Sequence, residues 1–360
     1  MSPQKTRRFL FSLLTLTLRQ GLSCLQSQGQ GENQMATTND WHVVFGAGAL
    51  GLATMRALLS EGKRVRVVTR SGRTHLPAGV ESVEADLEDA ASAIAAAQDA
   101  SVIYQCVGLP YMEWAAHWPK IQSASLAAAK ANDAVFVFGD NLYMYGDTDG
   151  RPLREDLPDA GHARKAKVRA QIADMVMQAH LRGDVRAAIC RGSDFFGPEV
   201  TDTGLLGTRS VGAMLRGKPA QFFGNIDLPH TYTFIEDFGR AMALLGVQPA
   251  AWGQIWHAPN AETLTTRQLM TMFYEEAGLK PNIQVMGRTM LRIAGVFMPI
   301  VRELDEIFYH YEKPYVVESD KIQRAFGIRP TPLREAVRQT LAWYRAQEAK
   351  APAMQSALVA

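Results

Sequence analysis

The sequence is poor in cysteine, in net charge and in long apolar runs, and each shortage excludes something. Cys24, Cys106 and Cys190 are the three cysteines in 360 residues. They form neither the close pairs of a zinc site nor the density of a disulfide scaffold, so a reducing, cytoplasmic setting fits best. A formal charge of +2 gives no general attraction to nucleic acid or anionic lipid, which leaves a small molecule as the expected partner. The apolar run Phe9 to Leu18 is too short to span a membrane. It follows Lys5, Arg7 and Arg8, and Thr6-Arg7-Arg8-Phe9-Leu10 is similar to a twin-arginine export signal. No small-residue cleavage site follows, and a Gln/Gly stretch leads to Met35. Residues 1–40 are therefore read as a disordered leader or a targeting segment, with the globular part beginning near Trp41.

From His42 onward short apolar runs alternate with amphipathic ones, the pattern of strand, crossover helix and parallel strand. Strands are expected at His42 to Gly46, Val65 to Thr69, Val102 to Val107, Ala134 to Phe138 and Val185 to Cys190. Helices are expected at Leu50 to Glu61, with Gly62 as the stop, at Leu87 to Ala97 and at Trp114 to Ala131. Past Pro198 the alternation fades into longer helical patterns, including Thr266 to Ala277 and Pro332 to Tyr344. The expectation is an α/β protein: a Rossmann-type, doubly wound parallel sheet over 41–198, a smaller and mostly helical substrate lobe over 199–346 with pieces returning to the sheet, and a tail over 347–360.

The strongest local signal is Gly46-Ala47-Gly48-Ala49-Leu50-Gly51, which follows a strand and opens a helix. In that context the first glycine permits a tight turn, Gly48 lets backbone approach a pyrophosphate, and Gly51 lets helix pack on strand. The helix start at Ala49 and Leu50 then offers free N–H groups to the phosphates. The next strand ends at Thr69-Arg70-Ser71-Gly72-Arg73, where an NAD enzyme usually carries Asp or Glu for the ribose hydroxyl. Arg70 and Arg73 suit a 2′-phosphate instead, so NADP is favoured over NAD. Asp86, before Leu87, is placed either near the adenine amino group or as a helix cap.

These blocks occur in an order that resembles the extended short-chain dehydrogenase/reductase superfamily, the NAD-dependent epimerase/dehydratase group. The likeness includes Asp86-Leu87, Gln105-Cys106-Val107-Gly108, Met144-Tyr145-Gly146, Arg191 to Pro198, and His230 to Asp237. The resemblance implies a dinucleotide cofactor lined by Cys106 and Gly108, a substrate pocket built by the second lobe, and a helix-paired homodimer. His230 and Tyr232 are candidates to face that pocket, and Asp237 to cap the helix after it.

The departure lies at the chemistry. The family places Ser or Thr where this chain has Asn141, and a Tyr-x-x-x-Lys motif on the following helix. Aligning Lys167 with that lysine puts Ala163 where the tyrosine should be. The resemblance then implies that Lys167 holds the nicotinamide ribose while Asn141 and Tyr145 polarise a substrate oxygen. Tyr143, Tyr145 and His162 are the nearby candidates for a proton donor. Lys165 and Lys167, among Arg164 and Arg169, read alternatively as a solvated cationic face, too short and too poor in aromatics for nucleic acid. The functions consistent with this are an NADP-dependent oxidoreductase at a carbonyl or hydroxyl, a nucleotide-sugar epimerase or dehydratase, and a non-catalytic NADP sensor.

Overall fold

The computed structural model describes residues 40–72, 75–202, 204–287 and 306–357. Seven parallel strands form the central sheet: β1 (Trp41–Phe45), β2 (Arg64–Thr69), β3 (Glu81–Glu84), β4 (Ala100–Gln105), β5 (Val135–Asp140), β6 (Arg186–Arg191) and β11 (Ile255–His257). Their order across the sheet is β11-β6-β5-β4-β1-β2-β3. This is the doubly wound α/β arrangement that the strand-helix alternation predicts, and its topological switch point lies between β1 and β4.

The period-two side-chain alternation of a strand assigns the core to two faces. Val43, Phe45, Ile103, Phe136 and Phe138 pack with α2 (Ala90–Ala96), α3 (Trp114–Ala131) and α4 (Arg164–Leu181). Val44, Val67, Val102, Tyr104 and Val137 pack on the other face with α1 (Ala49–Ser60) and α5 (Ile235–Val247). A Cβ on Gly239 of α5 would stand 2.4 Å from the Ala53 carbonyl carbon, so the two helices cross with backbones almost touching. Gly62, at φ 71°, ends α1 as expected, because the left-handed conformation is open to glycine.

Two features depart from the expected layout. β3 joins the sheet although it has the half-exposed pattern of an edge strand and lacks the apolar run that identifies its neighbours. The helix expected from Leu87 begins at Ala90, because Asp89 accepts the Ser92 backbone N–H as its cap. The C-terminal part adds short strands to its helices. Alongside α6 (Thr266–Ala277), α7 (Asp320–Phe326) and α8 (Leu333–Ala357), the described residues form small two-stranded sheets, β10 (Tyr232–Phe234) on β7 (Asp194–Phe196), β12 (Leu264–Thr265) on β9 (Pro229–His230) and β13 (Ile283–Met286) on β8 (Ala220–Phe223). Its apolar centre joins Phe222, Phe234, Phe273 and Leu341. No helix among the described residues is long and apolar enough to cross a membrane.

Candidate functional site

The glycine turn sits at the C-terminal end of β1, on the switch point. Gly46 has φ 98°, and a Cβ there would come within 2.9 Å of the Cys106 carbonyl oxygen; glycine is needed both for the conformation and for the approach to β4. A Cβ on Gly51 would fall 2.0 Å from the Gly46 oxygen. At Gly48 the corresponding position meets no atom within 4 Å, so the turn opens outward there. No side chain caps α1, and its first turn holds no acidic residue. Ala49 and Leu50 therefore begin a helix whose positive dipole end and first N–H groups are free to meet an anion.

Arg70 follows β2 directly, is exposed, and has no hydrogen-bonding partner among the described residues. Thr69 Oγ1 beside it is buried without a partner among the described residues. Arg73 lies outside the described residues. Asp86 is exposed, but its Oδ1 accepts the Glu88 N–H at 2.9 Å in a local turn, and the helix cap is Asp89. Leu87 is buried in the sheet's core. The Cys106 thiol is buried against Thr54 Oγ1 at 3.8 Å, and burial pushes it up to about 12; what Cys106 presents to the crevice is backbone. Space is open at the Cβ position of Gly108.

The end of β5 places Asn141 and Tyr145 in different surroundings. Asn141 Oδ1 accepts the Tyr143 N–H at 3.1 Å, a local turn, while its amide nitrogen donates to nothing among the described residues. Tyr145 is 2% exposed and bonds His257 Nε2 at 3.0 Å; since His257 Nδ1 lies 2.7 Å from the Glu318 carbonyl and must donate to it, the tyrosine hydroxyl donates to Nε2. Burial pushes that hydroxyl up to about 12. Tyr145 is thus a committed core phenol with no free hydroxyl for a substrate. His162 is exposed.

Lys167 is exposed on the outer side of α4, whereas Lys165 and Arg169 are buried. The cause is helical periodicity: residues four apart share a face, and the apolar set Ile172, Ala173 and Val176 turns that face inward. Lys165 Nζ reaches Glu306 Oε2 at 3.3 Å. Arg169 Nε donates to Asp140 Oδ1 at 2.7 Å, and Arg191 Nε donates to Asp140 Oδ2 at 3.2 Å. Asp140, with a fully buried side chain, therefore ties α4 and β6 to the end of β5. The solvated-face reading fails for these two cations. The signal for them was present in the sequence, as basic residues at i and i+4 on the stripe defined by Ile172 and Val176.

Tyr111 and Asp194, which the motifs did not single out as site residues, meet residues that they did. Tyr111, on the loop after β4, meets the Tyr143 hydroxyl at 2.8 Å. Asp194 Oδ2 lies 2.9 Å from His230 Nε2. Burial opposes ionisation of Asp194, yet the His230 hydrogen bond and charge hold its carboxyl below the usual range. His230 packs against Tyr232 at 4.6 Å. Asp237 is not the cap of α5: Phe234 occupies that position, and Asp237 accepts the Thr331 N–H and hydroxyl at 2.7 Å.

A seven-stranded parallel sheet with a glycine turn at its switch point defines a Rossmann-type nucleotide-binding architecture. The model of the NAD dependent epimerase/dehydratase family matches residues 42–256. The chain belongs to that family, within the extended short-chain dehydrogenase/reductase group its motifs resemble. Similar solved structures include a double mutant of dTDP-glucose 4,6-dehydratase from Streptomyces venezuelae with NAD bound, at TM-score 0.70 and 18% identity, covering 86% of this chain and 98% of that one. The UDP-glucose 4-epimerase of Thermus thermophilus with NAD has TM-score 0.68 and 18% identity, covering 85% and 99%. UDP-glucuronic acid 4-epimerase from Bacillus cereus with NAD has TM-score 0.68 and 16% identity, covering 85% and 96%. No curated protein sequence matches the chain.

Proposed function

We propose that this chain is an NADP-dependent oxidoreductase acting at a carbonyl or hydroxyl of a small molecule in the cytoplasm. The observation that carries the reading is the uncapped glycine turn facing open space at Gly48, beside an exposed Arg70 that has no partner among the described residues. These residues fit a dinucleotide. Gly46, Gly48 and Gly51 with the start of α1 would hold the pyrophosphate, and Arg70 would meet a 2′-phosphate with charge-assisted donors. A bound nicotinamide would supply hydride transfer to or from carbon. Lys165 and Arg169 line the inward face of α4 beside Asn141, and the free Asn141 amide is suited to orient a substrate oxygen.

Titration calorimetry tests this directly. NADPH should bind saturably, and Arg70→Ala should weaken NADPH about 10- to 100-fold, the value of one charge-assisted contact, while changing NADH little. Equal losses for both cofactors would refute the assigned role of Arg70. Failure of the unaltered protein to bind either cofactor would refute the whole reading. The solved epimerases and dehydratase with NAD favour a second reading, nucleotide-sugar isomerisation with a cofactor that stays bound. Its mark would be NAD retained through purification and no net change in cofactor absorbance during turnover.

A further inference from the structure

Reduction of a carbonyl needs a proton at oxygen as well as a hydride at carbon, and two of the three side chains first expected to supply it are committed or exposed. Tyr145 donates to His257, His162 is exposed, and position 163 is alanine. The third, Tyr143, meets a further phenol, Tyr111, where β4 and β5 end. Tyr111 and Tyr143 have hydroxyl oxygens 2.8 Å apart. Lys165 Nζ stands 5.2 Å from the centre of the Tyr111 ring. Tyr143 is 8% exposed, with the His310 ring packed against it at 5.5 Å. Tyr111 is the less buried of the two residues, with its hydroxyl enclosed against that of Tyr143.

We propose that Tyr111 is the catalytic acid of this chain, with Tyr143 and Lys165 as its positioning residues. The inference rests on the cofactor reading above. In the reducing direction the carbonyl carbon would take a hydride from a bound dihydronicotinamide, oxidised in turn, and Tyr111 would give its proton to the carbonyl oxygen. The C=O bond becomes H–C–O–H, and the Tyr111 phenolate is reprotonated by water. Burial is the main influence on the Tyr111 hydroxyl and raises its pKa, so it carries its proton at neutral pH. The hydrogen bond from Tyr143 and the charge of Arg169 act the other way, favouring the phenolate at the moment of transfer, while Asp194 opposes them. Lys165 adds positive charge on the same side, tempered by Glu306. A lysine and a phenol brought together from a helix and a loop thus reproduce a pairing usually found along one helix.

The test needs no identified substrate. Tyr111→3-fluorotyrosine, encoded in the full chain, is titrated through the alkaline range by fluorine NMR with and without NADP+. The positive nicotinamide should lower the titration midpoint by about one pH unit. Adding Tyr143→Phe should raise it, by removing the donated hydrogen bond. A midpoint unmoved by NADP+, when calorimetry shows NADP+ bound, overturns the inference and leaves the cofactor reading intact. NADP+ that does not bind at all overturns both. An unchanged midpoint with Tyr143→Phe removes Tyr143 from its positioning role.

Discussion

Asp140→Asn is the most informative stability perturbation, because one carboxylate holds three elements together. The Asp140 side chain is fully buried, and its two cationic partners, Arg169 and Arg191, are 5% and 1% exposed. At an effective dielectric of about 20 each pair contributes roughly 4 kcal/mol of attraction at 4 Å, which offsets the cost of desolvating the ions. An amide of the same shape keeps the volume and removes the charge. It leaves two buried guanidiniums facing each other and turns part of the Asn141 N–H acceptor into a donor. Breaking a buried pair in this way costs about 3–5 kcal/mol, a large part of the roughly 5–15 kcal/mol that stabilises a domain. Urea unfolding of the two proteins at neutral pH measures the difference. Adding Arg191→Met to Asp140→Asn should recover part of the loss by removing a buried cation left with only the longer 3.7 Å contact to Asp159. A cost below about 1 kcal/mol, or no recovery in the double variant, would refute the claim that the charge of Asp140 organises this edge.

The other predictions test the turn, the corrected tyrosine and the buried histidines. Gly51→Ala places a methyl 2.0 Å from the Gly46 oxygen; it should cost about 1–3 kcal/mol and abolish NADPH binding by calorimetry, and retention of both would contradict the close approach. Tyr145→Phe leaves His257 Nε2 buried without its donor. Thermal unfolding should show a loss of about 1–3 kcal/mol with unchanged NADPH affinity, whereas a normal fold with lost affinity would return Tyr145 to the site. Burial lowers His257 and His310 from 6.5 to about 3, so the unfolded chain binds more protons than the folded one between those values. Stability contributed by the neutral rings is complete above pH 6.5 and declines as pH falls toward 3. By pH 5 each histidine should remove about 2 kcal/mol, and a urea midpoint that stays flat from pH 7 to 5 would show that these rings are not held neutral.

Much of the sheet was legible because buried parallel strands are written as unbroken apolar runs. Val43 to Phe45 and Val135 to Phe138 need no partner to be recognised, and Val65 to Val68 is interrupted only by Arg66. β3, with the sequence Glu-Ser-Val-Glu, carries no such run, and its place follows from pairing with β2. The glycine turn could be read because Gly46 and Gly51 answer to backbone contacts within a few residues of themselves or at the adjoining strand end. Asn141, Tyr145 and Lys167 were harder, since motif alignment gives position along the chain and not the direction of a side chain. The one-residue ambiguity of a short cationic run was decided by the rotation of α4. That rotation was already implicit in Ile172 and Val176, and it exchanges Lys167 for Lys165 and Arg169.

The sequence by itself determined the class of fold, the glycine turn and the absence of tyrosine at position 163, because each depends on local pattern and backbone geometry. Only the tertiary structure decided which polar groups share the edge of the sheet. Tyr111 and Tyr143 are 32 residues apart, Asp140 and Arg191 are 51, and Tyr145 and His257 are 112. Their meeting is set by strand order and helix rotation, and burial, not spacing along the chain, then decides which hydroxyls and charges are committed to the core and which face the crevice.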